Sequence, residues 1–285
     1  MNIFVNRLAM VALFSFALVA HAVDRPEAVK FCYEDENVYP WVLKDRPGLN
    51  ILLMNSVEKI IGVKLELVQR PWKRCQAELK NGEVDGIFSA SYKKERLELG
   101  VYPMAGDKLD ESKAVMTDSY SLYRLKGSRA QWDGKNLTIN GLVGAQSGYS
   151  VIGQLKELGA KVDDGTGSAD NNLLKLLAGR VDAVALQTLE ADNLIAANPT
   201  FATKVEKVTP PLVVKPFYLM LSKQFNAKFG DFCKEIWAAV AQVRDSADFN
   251  RTYAKHVKTL YFCTSCNLSQ VTANLTDGLR SSRRK

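Results

Sequence analysis

Ser89, Ser91 and Arg96 carry the most suggestive chemistry in this chain, in the stretch Phe88-Ser89-Ala90-Ser91-Tyr92-Lys93-Lys94-Glu95-Arg96. Arg96 lies five residues beyond Ser91, about a turn and a half of helix. The preceding Gly82-Glu83-Val84-Asp85-Gly86-Ile87 reads as a tight turn that feeds a short buried strand. Small hydroxyl residues at the end of that strand, then the start of a helix, aim two hydroxyls, free backbone N–H groups and a guanidinium at one point. A carboxylate is the simplest ligand for such a point. The plain alternative is a strand–loop–helix corner with a solvated arginine.

The elements around it alternate. A strand over 29–33 is followed by a loop with Tyr39-Pro40-Trp41 and by a helix opened by Gly48 and closed by Gly62. A half-exposed strand over 63–69 follows, then Pro71-Trp72 and a helix over 73–80 stopped by Asn81-Gly82, then the strand over 84–88. The order β-α-β-α-β predicts a parallel sheet with helices on its faces, in which ligands sit at the carboxyl ends of the strands. Tyr33, Trp41, Arg70, Ser89 and Ser91 fall at or just past such ends. A second set of the same pattern occupies about 136–197, with the turn Gln146-Ser147-Gly148-Tyr149-Ser150 feeding a helix over 151–158. Strands over 205–208 and 216–221, an extended segment through Pro210-Pro211, a helix over 227–244 and a shorter one from 246 to 256 complete the pattern. Two α/β halves, the second inserted into the first, place a ligand between them in a cleft that closes by hinge motion.

Bulk properties narrow the function classes. Of 285 residues 47% are hydrophobic and 24% charged, ordinary for a chain that buries a core. A basic start with Arg7, an apolar run over 8–20 and Ala20-His21-Ala22 form a secretory signal peptide over 1–22, with cleavage before Val23. Removing Arg7 leaves 37 basic residues against 31 acidic ones. Arg280, Arg283, Arg284 and Lys285 against Asp277 concentrate three net positive charges in the tail over 263–285, which reads as a disordered end. The folded body is only mildly basic, so no nucleic-acid partner is expected. Two histidines, one of them in the signal, argue against a metal site at Cys263-Thr264-Ser265-Cys266, and no cofactor is expected. An oxidising compartment favours disulfides: Cys32 could meet Cys75, and Cys233 could meet Cys263 or Cys266.

Taken in order, the signal peptide, Tyr39-Pro40-Trp41, the Gly48 helix, Pro71-Trp72, Gly82-Glu83-Val84-Asp85-Gly86, Ser91 with Arg96, Gly144-Ala145-Gln146-Ser147-Gly148 and Gly179-Arg180-Val181-Asp182-Ala183-Val184 resemble the bacterial extracellular solute-binding proteins of family 3. These are the amino-acid-type periplasmic binding proteins of ABC transporters. The resemblance covers about 29–256 and implies a two-lobed type II periplasmic binding fold, α/β in class. One lobe combines 24–117 with 213–262 and the other is 118–212. It implies that Tyr39 or Trp41 packs on the ligand, Arg96 grips its carboxylate, Ser89 and Ser91 donate to it, and Gly148 and Ser150 meet it from the second lobe. Where the family usually places an aspartate for the ligand's ammonium, this chain has Gln187, five beyond Asp182. Glu190 lies nearby. The resemblance implies a monomeric periplasmic protein that binds a small polar carboxylate-bearing solute and delivers it to an inner-membrane ABC permease. Two other readings share the fold. One is a dehydratase on a prephenate-like acid, with Glu34, Asp35 or Glu190 as the acid, and the other is a soluble sensor for a membrane receptor.

Overall fold

The structure, a computed structural model, describes residues 24–258. The expected signal peptide, Cys263, Cys266 and the basic tail lie outside the described residues. Among the described residues no helix is long and apolar enough to cross a membrane.

The first α/β set comprises β1 (Ala28–Glu34), α1 (Leu49–Ile61), β2 (Lys64–Arg70), α2 (Trp72–Asn81) and β3 (Gly86–Ser91). Helix α1 forms because Leu49, Leu53, Val57 and Ile61 recur at the helical repeat and are all buried. It ends at Gly62, which adopts a left-handed φ of 68° and donates its N–H to the Glu58 carbonyl. At the opposite end Gly48 passes so close to the loop that an added Cβ would lie 2.3 Å from the Trp41 carbonyl oxygen. That approach ties the aromatic loop to the start of α1.

Two small ribbons and a long strand follow: β4 (Met104–Ala105) with β5 (Lys108–Leu109), then the long β6 (Met116–Leu125), then β7 (Gln131–Trp132) with β8 (Leu137–Thr138). The second set is β9 (Leu142–Gln146), α3 (Val151–Glu157), β10 (Lys161–Thr166), α4 (Ala169–Leu177), β11 (Ala183–Gln187), α5 (Thr188–Ala197) and α6 (Pro199–Lys204). Ser168 caps α4 by accepting from the Asn171 N–H at 3.2 Å. The chain returns through β12 (Val205–Leu221) and ends in α7 (Lys223–Lys228), α8 (Gly230–Asp245) and α9 (Ala247–Lys258).

One eight-stranded sheet runs through both halves in the order β10-β9-β11-β6-β12-β3-β1-β2. β1 pairs in parallel with β2 and β3, and β9 in parallel with β10 and β11. β6 and β12 lie antiparallel between the two sets. The strand over 205–208, the extended segment and the strand over 216–221 are thus one strand. The pairing of β12 with β6 shifts register between Val208 and Val213, where Pro210 and Pro211 cannot donate ladder hydrogen bonds. The single helix expected over 227–244 is two, α7 and α8, meeting at Phe229.

The larger hydrophobic cluster joins Phe31, Leu53, Ile87, Leu219, Phe232 and Ile236, and a second joins Tyr123, Leu173, Leu176, Leu186 and Phe201. The Trp237 indole donates to the Leu219 carbonyl at 2.8 Å and locks α8 to β12. Cys32 and Cys75 form a disulfide between β1 and α2, with Cα atoms 5.5 Å apart. Cys233 is buried and unpaired among the described residues.

Candidate functional site

A cavity of about 30 Å³ lies between the two halves at the carboxyl ends of β1, β3 and β11. The first half supplies Tyr33, Glu34, Val38, Trp41, Val42, Asn50, Trp72, Phe88, Ser89, Ser91 and Arg96. The central strands β6 and β12 supply Met116, Tyr120 and Phe217, and the second half supplies Tyr149 and Gln187. The volume is room for about one or two waters, so entry of a larger solute requires the halves to part.

Arg96 follows β3 on a short 3₁₀ helix, Lys94–Glu98, rather than an α-helix. It is 5% exposed. Its Nη1 donates to the Ser91 carbonyl at 2.8 Å, and its Nη2 donates across the cleft to the Gly148 carbonyl at 3.0 Å. The guanidinium carbon lies 5.6 Å from the centre of the Trp72 ring. The Ser91 hydroxyl donates to the Ser150 hydroxyl at 2.7 Å, and Lys215 on β12 reaches the same oxygen at 3.3 Å. Gly148 has a φ of 78°, which suits glycine.

Ser89 also has a left-handed backbone, φ 65°, unusual for a residue with a side chain. Its hydroxyl accepts from the Asn50 amide at 2.7 Å, which pins it against the start of α1. The Asn50 Oδ1 and the Gln187 Oε1 are buried acceptors with no hydrogen-bond partner among the described residues. Both residues line the cavity. Gln187 closes β11, whose end is fixed because Ser119 and Ser121 on β6 bond the Thr188 hydroxyl at 2.6 and 2.8 Å.

The carboxylates divide by environment. Glu34, at the end of β1, accepts from the Tyr149 hydroxyl at 2.5 Å across the cleft, and burial pushes its carboxyl up to about 8. Glu190 does not line the cavity; it accepts from the Gln146 amide at 3.2 Å, and burial holds it well above the usual carboxylate range. Burial also raises Asp118 to about 7, partly offset by the Ser119 N–H. Asp35 does not reach the cavity wall.

Of the residues expected at the site, Trp41, Ser89, Ser91, Arg96 and Gln187 line one cavity. Gly148 and Ser150 bond to Arg96 and Ser91 at its edge. Tyr39 does not line it: its hydroxyl donates to the His256 carbonyl at 2.6 Å, on α9. Asn50, Tyr120 and Tyr149 are cavity residues that sequence reasoning missed. Tyr149 sits inside the glycine-bearing turn already noted, and Asn50 in the first turn of a helix placed beside the aromatic loop.

No protein-family model and no curated protein matches this chain. Solved structures do match. An ancestral arginine-binding protein bound to arginine is 19% identical with a TM-score of 0.65, covering 81% of this chain and 98% of that one. A putative binding component of an ABC transporter from Wolinella succinogenes, complexed with lysine, is 17% identical with a TM-score of 0.64, covering 80% and 95%. An ancestral amino acid-binding protein described as a precursor of cyclohexadienyl dehydratase is 18% identical with a TM-score of 0.62, covering 81% and 96%. The chain has the two-lobed periplasmic binding fold of these proteins, and the cavity lies between its lobes.

Proposed function

We propose that this chain is a periplasmic solute-binding protein that takes a small carboxylate-bearing solute, an amino acid or a close relative, and presents it to an inner-membrane ABC permease as a monomer. The lobes are 24–117 with 213–262, and 118–212, and they close about the β6–β12 pair. The observation that carries the reading is Arg96. Among the described residues it is the one basic side chain on the cavity wall, it is buried there, and it bonds the opposite lobe. A guanidinium so placed meets a carboxylate with two parallel N–H donors and couples its capture to closure. Ser89 and Ser91 add hydroxyls, Trp41 supplies an aromatic wall, and Gly148, Ser150 and Gln187 face the solute from the second lobe. The structural neighbours that bind arginine and lysine support the same reading.

The test is a thermal-shift screen of the protein against amino acids, organic acids, polyamines and prephenate-like acids. A bound solute raises the melting temperature with its concentration. A response confined to compounds with no carboxylate, or no response at all, overturns the reading.

One observation favours a second reading. The cavity holds a carboxyl group, Glu34, that stays protonated at neutral pH, as a general acid for dehydration must. Loss of water from a prephenate-like acid during incubation with the protein, followed by mass spectrometry, would put this reading first; an unchanged substrate removes it.

A further inference from the structure

Among the described residues Glu34 is the one acidic residue on the cavity wall. It is 8% exposed, and it is held in place by the Tyr149 hydroxyl on Oε2. No bond from the described residues engages its Oε1. Gln187, which stands where the resemblance places an acid, is neutral, and its buried Oε1 has no partner among the described residues. Glu190 accepts from the Gln146 amide at 3.2 Å and does not line the cavity, although it and Glu34 are close enough for each to oppose the other's ionisation. A solute that enters with its carboxylate on Arg96 therefore meets, among the described residues, one acidic side chain on the wall, able to become negative when a cation comes beside it.

We propose that Glu34 is the specificity-determining residue of this cleft: it receives the ammonium group of a zwitterionic solute, the role for which Gln187 lacks the charge. The assignment rests on the solute-binding reading above and narrows it, from carboxylates in general to carboxylates that carry a cation. Gln187 then contributes a neutral acceptor to one N–H of the same ammonium.

The chemistry includes a proton. Burial keeps Glu34 protonated at neutral pH, with Glu36, Asp35 and the neighbouring Glu190 opposing its ionisation and the Tyr149 hydroxyl and Arg96 favouring it. An ammonium brought beside the carboxyl favours the ionised form further. The proton leaves to solvent, the carboxylate stays, and the Tyr149 hydroxyl goes on donating to it. At most one proton is released per solute bound, so affinity rises with pH up to about 8.

The test is calorimetric titration near neutral pH with the standard L-amino acids and their deaminated counterparts, such as phenylalanine against 3-phenylpropionate and glutamate against glutarate. The expected result has three parts. The deaminated acid binds the wild type more weakly than its amino acid. Glu34→Gln weakens the amino acid by about 10- to 100-fold and the deaminated acid by a much smaller factor, and Glu34→Asp recovers part of the loss. Titrations in buffers of different protonation heat show proton release for the wild type and none for Glu34→Gln. Unliganded melting curves establish that the variants are folded; if Glu34→Gln is not, Glu34→Asp and the wild-type buffer comparison decide. Equal binding of the two solute classes, or an amino-acid affinity untouched in Glu34→Gln, overturns the assignment and leaves carboxylate binding standing. Binding of neither class overturns the solute reading itself.

Discussion

The Arg96 guanidinium and the Gly148 carbonyl meet across the cleft at 3.0 Å, joining the turn after β3 to the turn before α3. A solute carboxylate that takes the guanidinium replaces that neutral acceptor with a charged one. Arg96→Ala should lower affinity for a carboxylate solute by about 100-fold or more, since hydrogen bonds to charged groups are worth about 1.5–3 kcal/mol each. Arg96→Lys should recover little, because a point charge lacks the planar fork. Titration calorimetry checks both, and an affinity unchanged in Arg96→Ala would remove Arg96 from the site.

Gly148 packs closely against α2 of the opposite half. A Cβ there would lie 2.9 Å from the Lys73 Cγ and 3.1 Å from the Gln76 Nε2, on α2 of the opposite lobe, and φ is 78°. Gly148→Ala should therefore push the lobes apart and strain the turn. Small-angle scattering should show a larger radius of gyration than the wild type, and solute affinity should fall about tenfold, near 1.4 kcal/mol. A radius and an affinity equal to the wild type would mean that the turn yields instead.

Acidity should stabilise this fold over a window set by its buried carboxyls. Glu34 stands at about 8 against 4.5 for an exposed glutamate, and Asp118 at about 7 against 3.8. As pH rises between these limits the unfolded chain releases protons that the folded chain keeps. Each group then removes stability at up to about 1.4 kcal/mol per pH unit. Below the window the loss stops, and paired acids such as Asp163, held low by Lys175, begin to weaken the fold. The melting temperature should peak near pH 4–5 and decline towards pH 8. Glu34→Gln should flatten the decline and melt above the wild type at pH 8 only. A melting temperature that rises steadily from pH 5 to pH 8 would contradict the burial of these groups.

The Cys32–Cys75 bridge spans 43 residues of sequence. Closing a loop of that length removes about 4 kcal/mol of chain entropy from the unfolded state. A Cys32→Ala/Cys75→Ala double variant should lose stability on that scale in urea unfolding. A loss under about 1 kcal/mol would point to residual structure in the unfolded chain that already holds the two segments together.

Much of this architecture was legible in advance. Helix α1 follows from Leu49, Leu53, Val57 and Ile61 with Gly62 as its stop, and β-α-β-α-β order follows from two such sets. Ser91 and Arg96 declared themselves because strand end and arginine are local in sequence. The continuity of β12 was not legible, since Pro210 and Pro211 read as an interruption and the sheet accommodates them by a register shift. The choice between Tyr39 and Trp41 was open because both sit in an irregular loop with no period to orient them. Only the packing shows Tyr39 reaching α9 while Trp41 lines the cavity. The pairing of Glu34 with Tyr149 joins residues 115 apart through a cleft, a relation that no periodicity encodes.

The strands that carry both lobes also form the bottom of the cavity, through Met116, Tyr120 and Phe217. When two bodies swing about a shared axle, points on the axle move least and points far from it sweep widest. On the proposed closure about β6 and β12, the bottom of the cavity keeps one shape, whereas Arg96 and Glu34 travel relative to Gly148, Tyr149 and Gln187. Contacts to the bottom hold a solute equally in both states and set how tightly it is retained. Contacts to the swinging sides exist in only one state, and they alone decide whether capture becomes closure.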